Sequence, residues 1–97
     1  MYADIEENEE ERRAALHDFY RIYRPIQKRY NLRYHMHFDV YGNNLIEIWE
    51  YTGEKKGRCI CKAKEETETA CYIRAVELLR YYEQEREDRI HERKAAG

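Results

Sequence analysis

Serine is missing from this chain altogether, and proline and tryptophan occur once each. Without serine there is no serine nucleophile and no nucleophile elbow, and the four glycines form no phosphate-cradling loop, so the sequence offers no footing for nucleophilic catalysis and no enzyme is expected. A linker rich in Pro, Gly or Ser is also missing, as is any internal repeat. The 97 residues therefore read as one domain, residues 1–97, with fraying expected at 1–4 and from about 90 to 97. No apolar run approaches the roughly 20 residues that cross a bilayer, and the acidic start is the opposite of a signal peptide, so no membrane partner is expected. Three cysteines are an odd count without a disulfide framework, which suits a reducing, cytoplasmic setting. A net charge of −2 leaves no global basic footprint of the kind nucleic-acid binders carry.

Charge is nevertheless abundant, at 39% of residues, and it is segregated. Residues 4–11 (DIEENEEE) carry six acids and no base, Arg12 to Arg33 seven bases against one acid, and Lys55 to Lys64 five bases and no acid. Such blocks create local fields that the net charge hides.

Leu16, Phe19, Tyr20, Tyr23, Ile26 and Tyr30 recur at helical spacing. This predicts a helix from about residue 5 to 24, which Pro25 ends or bends, with at most a short continuation to Tyr30. On its opposite side Arg13, His17, Arg21, Arg24 and Lys28 align as a basic stripe. From Leu32 to Tyr41 apolar and polar residues alternate strictly, predicting a strand. Gly42-Asn43-Asn44 reads as a hairpin turn into a second strand, LIEIWEYT, and a basic turn with Lys55 and Lys56 leads to a third strand over Arg58 to Ala63. Helical period returns from about Glu65, with Cys71, Ala75, Leu78, Leu79 and Tyr82 on one side. The expected fold is α+β: α-β-β-β-α, a three-stranded antiparallel sheet covered by two helices on one face.

The stretch YHMHFDVYG invites a metal reading. His35 and His37 lie about 7 Å apart on one strand face, but Asp39 is about 13 Å from His35 by the same rise, too far to share one ion. Cys59, Cys61 and Ala63 alternate with Arg58, Ile60 and Lys62. Since lysine and arginine avoid the core, the cysteines are expected inside, across the sheet from the histidines. No metal and no cofactor are therefore expected.

The parity of the second strand has two solutions. A two-residue hairpin turn directs Leu45, Glu47, Trp49 and Tyr51 to the core. A three-residue turn directs Ile46 and Ile48 there and leaves Leu45, Trp49 and Tyr51 outside with His35, His37 and Tyr41. Glu47 favours the second, because the first buries an acid against Phe38. Either way large side chains remain on a face without a helix, flanked by Arg58 and Lys62, and such a patch marks a partner or self-association site.

The element order resembles the double-stranded-RNA-binding domain over residues 12 to 85. That family grips phosphates with a basic cluster at the start of its second helix, whereas here KAKEETETACYIRAVELL puts Glu65, Glu66 and Glu68 at that position, after Lys62 and Lys64. In style, residues 44 to 85, ending TETACYIRAVELLRYYEQE, are similar to small phage-encoded α/β proteins such as anti-CRISPR and other anti-defence inhibitors. That resemblance implies a nucleic-acid mimic, with Glu65, Glu66 and Glu68 among the candidate phosphate mimics and Tyr81 as an anchor.

The sequence thus leads to the expectation of a protein-binding module, an inhibitor of a host nucleic-acid-processing enzyme, engaging its partner through His35, His37, Tyr41, Trp49, Tyr51, Glu65, Glu66, Glu68 and Tyr81. The alternatives are a small RNA- or DNA-binding protein using Arg13, Arg21, Arg24, Lys28, Lys55 and Lys56 with the aromatic sheet face, and a homodimer that pairs its open faces.

Overall fold

Asn8 opens the first helix. Its backbone is extended and its side-chain oxygen accepts from the backbone N–H of Glu10 at 2.9 Å and of Glu11 at 3.1 Å, satisfying two of the donors a helix start leaves open. Glu9, Glu10 and Glu11 place negative charge at the positive end of the helix dipole. This helix, α1, spans Glu9–Tyr30 and is followed by β1 (Leu32–His37), β2 (Asn44–Glu50), β3 (Arg58–Glu65) and α2 (Glu68–Ala96). The strands form one antiparallel sheet in the order β1-β2-β3, so the α+β order read from the sequence is the observed one. The computed structural model describes residues 8–51, 53 and 57–96, with side chains as far as Arg89; the start at 1–4, where fraying is expected, Gly97, and the basic turn residues Lys55 and Lys56 lie outside the described residues.

Of the two outcomes the sequence leaves open at Pro25, an end or a continuation to Tyr30, the structure shows the continuation. Proline removes the hydrogen bond of its own missing N–H, and its ring crowds the carbonyl four residues earlier. Its ring lies on the exposed side while Tyr23 and Ile26 on either flank are buried, and that burial holds the last turn in place. Helix α2 runs to Ala96.

The turn from α1 into β1 is a single residue. Asn31 adopts a left-handed backbone with φ 52°, and its N–H caps the helix by donating to the Gln27 carbonyl. With that N–H spent, the Asn31 side-chain amide donates to the Tyr51 carbonyl at 2.9 Å, and the Tyr51 N–H donates to the Asn31 carbonyl at 3.2 Å. Asn31 and Tyr51 therefore extend the β1–β2 register, which pairs Leu32 with Glu50, Tyr34 with Ile48 and Met36 with Ile46.

Both helices lie on one face of the sheet, α2 over β3 and β2, α1 beside it over β1. They run parallel: Arg12 meets Glu68 near their starts, the Phe19 ring lies near that of Tyr72 midway, and Tyr30 meets Tyr82 further on. The core between layers is Phe19, Tyr23 and Ile26 from α1, Leu32, Ile46, Ile48, Cys61 and Ala63 from the sheet, and Cys71, Tyr72, Ala75, Val76, Leu79 and Tyr82 from α2. Small residues let α2 approach β3 closely, with the Cys71 thiol 3.6 Å from the Ala63 carbonyl and the Cys61 thiol 4.0 Å from that of Ala75. Phe19 stacks on Tyr23 at 5.4 Å, and Tyr23 meets Tyr34 edge-on at 5.3 Å.

The inner face also holds an acid. Glu50, at the end of β2, is 5% exposed. Arg86 lies 3.1 Å and Arg58 3.5 Å from its carboxylate, and the Tyr82 hydroxyl donates to it. Arg86 also lies over the Tyr30 ring at 5.0 Å. One carboxylate thus joins the ends of β2 and β3 to α2, and through Arg86 to the end of α1. Glu50 is the buried member, while Arg58 is more than half exposed and Arg86 about a third exposed, so losing the carboxylate leaves two arginines that water can partly solvate, at a cost of about 1–3 kcal/mol. Glu50→Ala is accordingly expected to lower the urea midpoint measurably against a total stability of about 5–15 kcal/mol, and an unchanged midpoint would show the set to be dispensable.

Burial pushes the Tyr23 phenol up to about 12 and the Cys61 thiol up to about 12, from ordinary values of 10.0 and 9.0. It also raises Tyr72 and Tyr82, whose hydroxyls in addition donate to Glu68 and Glu50. These groups hold their protons more firmly in the folded chain than in the unfolded one. Their stabilisation is therefore complete below pH 9.0 and is lost as the pH rises toward the folded values. Unfolding monitored by circular dichroism should shift to lower urea between pH 8 and pH 11, about where tyrosine ionises, together with phenolate absorbance; identical curves at the two pH values would refute this.

Candidate functional site

The register and one irregularity decide what the uncovered face displays. With Tyr34 and Met36 opposite Ile48 and Ile46 on the helix side, Arg33, His35 and His37 of β1 point outward, as do Leu45, Glu47 and Trp49 of β2. On β3, Ile48 pairs with Cys61 but Trp49 pairs with Cys59, so Ile60 is the extra residue of a β-bulge. The bulge reverses the alternation for the start of the strand. Cys61 remains buried, but Cys59 is exposed, and Arg58, expected outside, pairs with Glu50 on the inner side. The expectation that Cys59 and Cys61 both go inside is thus corrected at Cys59.

The open face is a three-by-three array of cross-strand rows: Arg33, Trp49 and Cys59; His35, Glu47 and Lys62; His37, Leu45 and Lys64. Arg33, His35, His37, Cys59, Lys62 and Lys64 are exposed, while Leu45, Glu47 and Trp49 on the central strand are half-buried between them. Arg33 lies 5.4 Å from the centre of the Tyr51 ring. Tyr51 is in turn held against Gly57, where an added Cβ would come within 2.7 Å of the ring. Three permanent cations thus face one acid, and among the described residues Arg33, Lys62 and Lys64 have no acid within 4.0 Å. The apolar content is narrower than the sequence predicts, Trp49 and Leu45 forming a short strip inside a basic frame.

The HxHxD stretch divides between two structures. His35 and His37 belong to β1, which stops at His37 instead of running to Tyr41. Asp39 organises the connection that follows: its carboxylate accepts from the backbone N–H of Tyr41 at 2.9 Å and of Asn43 at 3.0 Å, and His37 Nε2 lies 3.4 Å away. Gly42 supplies the left-handed residue with φ 81°. The Asn43 N–H above all, then that of Tyr41, holds the Asp39 carboxyl below its ordinary value, against a partial effect of burial. Among the described residues no three His, Cys, Asp or Glu side chains are grouped to hold a metal.

The remaining residues singled out from the sequence lie elsewhere. Tyr41 is 67% exposed in the β1–β2 connection. Glu65 is half-buried at the end of β3 and Glu66 is exposed in the turn before α2, where the Asn44 side-chain amide donates to the Glu66 carbonyl at 2.9 Å. Glu68 is engaged within the fold, accepting from the Tyr72 hydroxyl at 2.7 Å and pairing with Arg12 at 3.4 Å. Tyr81 is exposed on α2 beside a shallow recess lined by Arg58, Cys59, Ile60, Tyr82 and Glu85. On α1, Arg13 pairs with Glu9 and Arg21 with Asp18, and Arg24 lies over the Tyr20 ring. With Lys28 they line the side of α1 opposite Phe19, Tyr23 and Ile26, and so face away from the sheet. The stripe and the open face therefore cannot grip one ligand together. Among the described residues no helix is long and apolar enough to cross a membrane.

Compared with known protein families, with curated proteins and with solved structures, the chain matches none of them.

Asp39→Ala should speed amide exchange at Tyr41 and Asn43 while leaving the core amides of Ile46 and Ile48 as they are, because the lost acceptor serves only the connection. An equal acceleration at Ile46 would show that this carboxylate supports the sheet itself.

Proposed function

We propose that this protein is a non-enzymatic protein-binding module whose working surface is the open face of the sheet, and that the surface it receives is acidic. The observation that carries this is the array itself: Arg33, Lys62 and Lys64 around a single acid, Glu47, with Trp49 and Leu45 half-buried on the central strand to either side of it. A half-buried tryptophan among polar groups suits an interface anchor, and cations without an acid beside them steer and orient an acidic partner. A protein suits this face better than a nucleic acid. The α1 basic stripe lies on the far side of the molecule, so this face has only Arg33, Lys62 and Lys64 as permanent cations with which to hold a phosphate backbone. The narrower role, a mobile-element inhibitor of a host nucleic-acid enzyme, belongs to the same proposal, and draws on the exposed acids Glu66 and Glu85 and the anchor Tyr81.

The test is capture of partners from a host lysate by immobilised wild-type chain, by Trp49→Ala and by Lys62→Glu with Lys64→Glu. Each variant is expected to lose at least about tenfold in retention of an acidic protein at an unchanged unfolding midpoint; retention equal to wild type would discard the face as the site. The second reading, nucleic acid, is favoured by the placement of Trp49 among the cations. Trp49 is the single tryptophan, so its fluorescence reports this face directly. Titration with oligothymidine at low salt should leave it unquenched, and quenching that weakens steeply with salt would replace the protein partner with a single strand.

A further inference from the structure

The sheet ends in two edges, and they differ. The β3 edge is interrupted by the bulge at Ile60 and lies under α2. The β1 edge is six regular residues, and among the described residues no strand pairs with its outer side. Which backbone groups that side presents follows from the corner at Asn31. Because Asn31 and Tyr51 face each other as a hydrogen-bonding pair, and such pairs alternate along an antiparallel ladder, Arg33, His35 and His37 direct their N–H and C=O groups to β2. Leu32, Tyr34 and Met36 direct theirs outward. The Leu32 carbonyl confirms the phase, since it accepts from the Gln27 side-chain amide at 3.2 Å, on the side away from β2. The outward groups of Tyr34 and Met36 remain, a row of donors and acceptors spaced to receive a further strand.

The side chains flanking this edge are of two kinds. Toward the open face stand Arg33, His35 and His37, all basic or protonatable and all exposed. Toward the helices stand Tyr34, 37% exposed, half-buried Met36, and Tyr20, whose hydroxyl lies 3.3 Å from that of Tyr34. A second copy of the chain fits poorly. Two β1 strands paired antiparallel would set Arg33 of each copy beside the histidines of the other with no acid to complement it, whereas opposite-charge pairs across a strand pair stabilise it.

We propose that the β1 edge takes an extended acidic segment of a protein partner as a fourth strand, with carboxylates at alternate positions beside Arg33, His35 and His37 and apolar side chains between them over Tyr34, Met36 and Tyr20. Backbone pairing to Tyr34 and Met36 supplies affinity, and the alternation supplies selection. This rests on the reading of the protein as a protein-binding module, but it locates the contact on the edge and gives the partner segment a pattern, acid and apolar residues in strict alternation.

The probe is a blocked peptide of about seven residues alternating glutamate and valine. Its controls are the same peptide with lysine for glutamate, and a version N-methylated along one edge so that it cannot pair. Amide exchange is read by NMR on the full chain. In the free protein the Tyr34 and Met36 amides should exchange fast and those of Arg33, His35 and His37 slowly. The glutamate peptide is expected to slow Tyr34 and Met36 by at least about tenfold, and neither control should do so. Met36→Pro removes an outward donor without touching the β1–β2 ladder, as an edge strand tolerates, and should abolish this protection. If that variant fails to fold, Arg33→Glu, which should exchange preference from the glutamate to the lysine peptide, carries the same test. The proposal is overturned by Tyr34 and Met36 exchange unchanged at saturating glutamate peptide, by equal protection from the lysine peptide, or by a sedimenting dimer that protects Tyr34 without peptide. Peptide-induced shifts confined to Trp49 and Lys62 would overturn the edge proposal while leaving the face reading standing.

Discussion

Everything this molecule shows to solvent follows from the register of β1 against β2, and that register is set at one corner. Asn31 ends α1 in a left-handed conformation, gives its N–H to the helix, and meets the backbone of Tyr51 with its carbonyl and its side-chain amide instead. A slip of one residue would turn Ile46 and Ile48 outward and bring Glu47 and Trp49 under the helices. It would also break both contacts to Tyr51. Local capping and burial thus demand the same pairing, which is why an alternation that is ambiguous by itself has a single answer in the fold.

That answer buries an acid. The parity that keeps Glu47 out puts Glu50 in, and the fold accommodates it with two arginines and a tyrosine drawn from β3 and α2. The bulge at Ile60 belongs to the same solution. It turns Arg58 inward to reach Glu50 and turns Cys59 outward. A buried ion set is weak evidence for stability in itself, but here its members come from elements far apart in sequence and meet only when sheet and helices are correctly assembled.

Much of this was legible in the sequence. Helical period found both helices and most of what they give to the core, from Phe19 and Tyr23 to Cys71, Ala75 and Leu79. Rejecting a buried Glu47 found the correct side of β2. Hidden from the sequence were the features whose cause is tertiary. The alternation from Leu32 to Tyr41 is unbroken, yet β1 ends at His37 because the Asp39 carboxylate gathers the backbone N–H groups of Tyr41 and Asn43 and curls the chain. Helix α1 passes Pro25 because burial of Tyr23 and Ile26 to either side outweighs the lost hydrogen bond and the crowding of the proline ring. Nothing local in RCICKAK signals a bulge, so Cys59 was placed inside by a rule that holds only for a regular strand. The rows of the open face could not be aligned before the register was known, although the alternate spacing of Lys62 and Lys64 was visible.

Bases along an exposed edge have a second physical meaning that bears on how the surface is read. Charged side chains beside an unpaired strand are a common defence against unwanted pairing, and Arg33, His35 and His37 would serve that purpose even without a partner. Defence, however, requires only charge, and charge of either sign. Here Arg33 is the permanent charge on β1, the histidines beside it can add only the same sign, that sign recurs at Lys62 and Lys64 across the sheet, and the opposite side of the edge is lined by tyrosines and a methionine instead of further charge. A purely repulsive edge has no use for an apolar lip. The combination repels copies of itself and basic or neutral strands while remaining compatible with an alternating acidic one, so exclusion of the many and admission of the few are properties of the same residues.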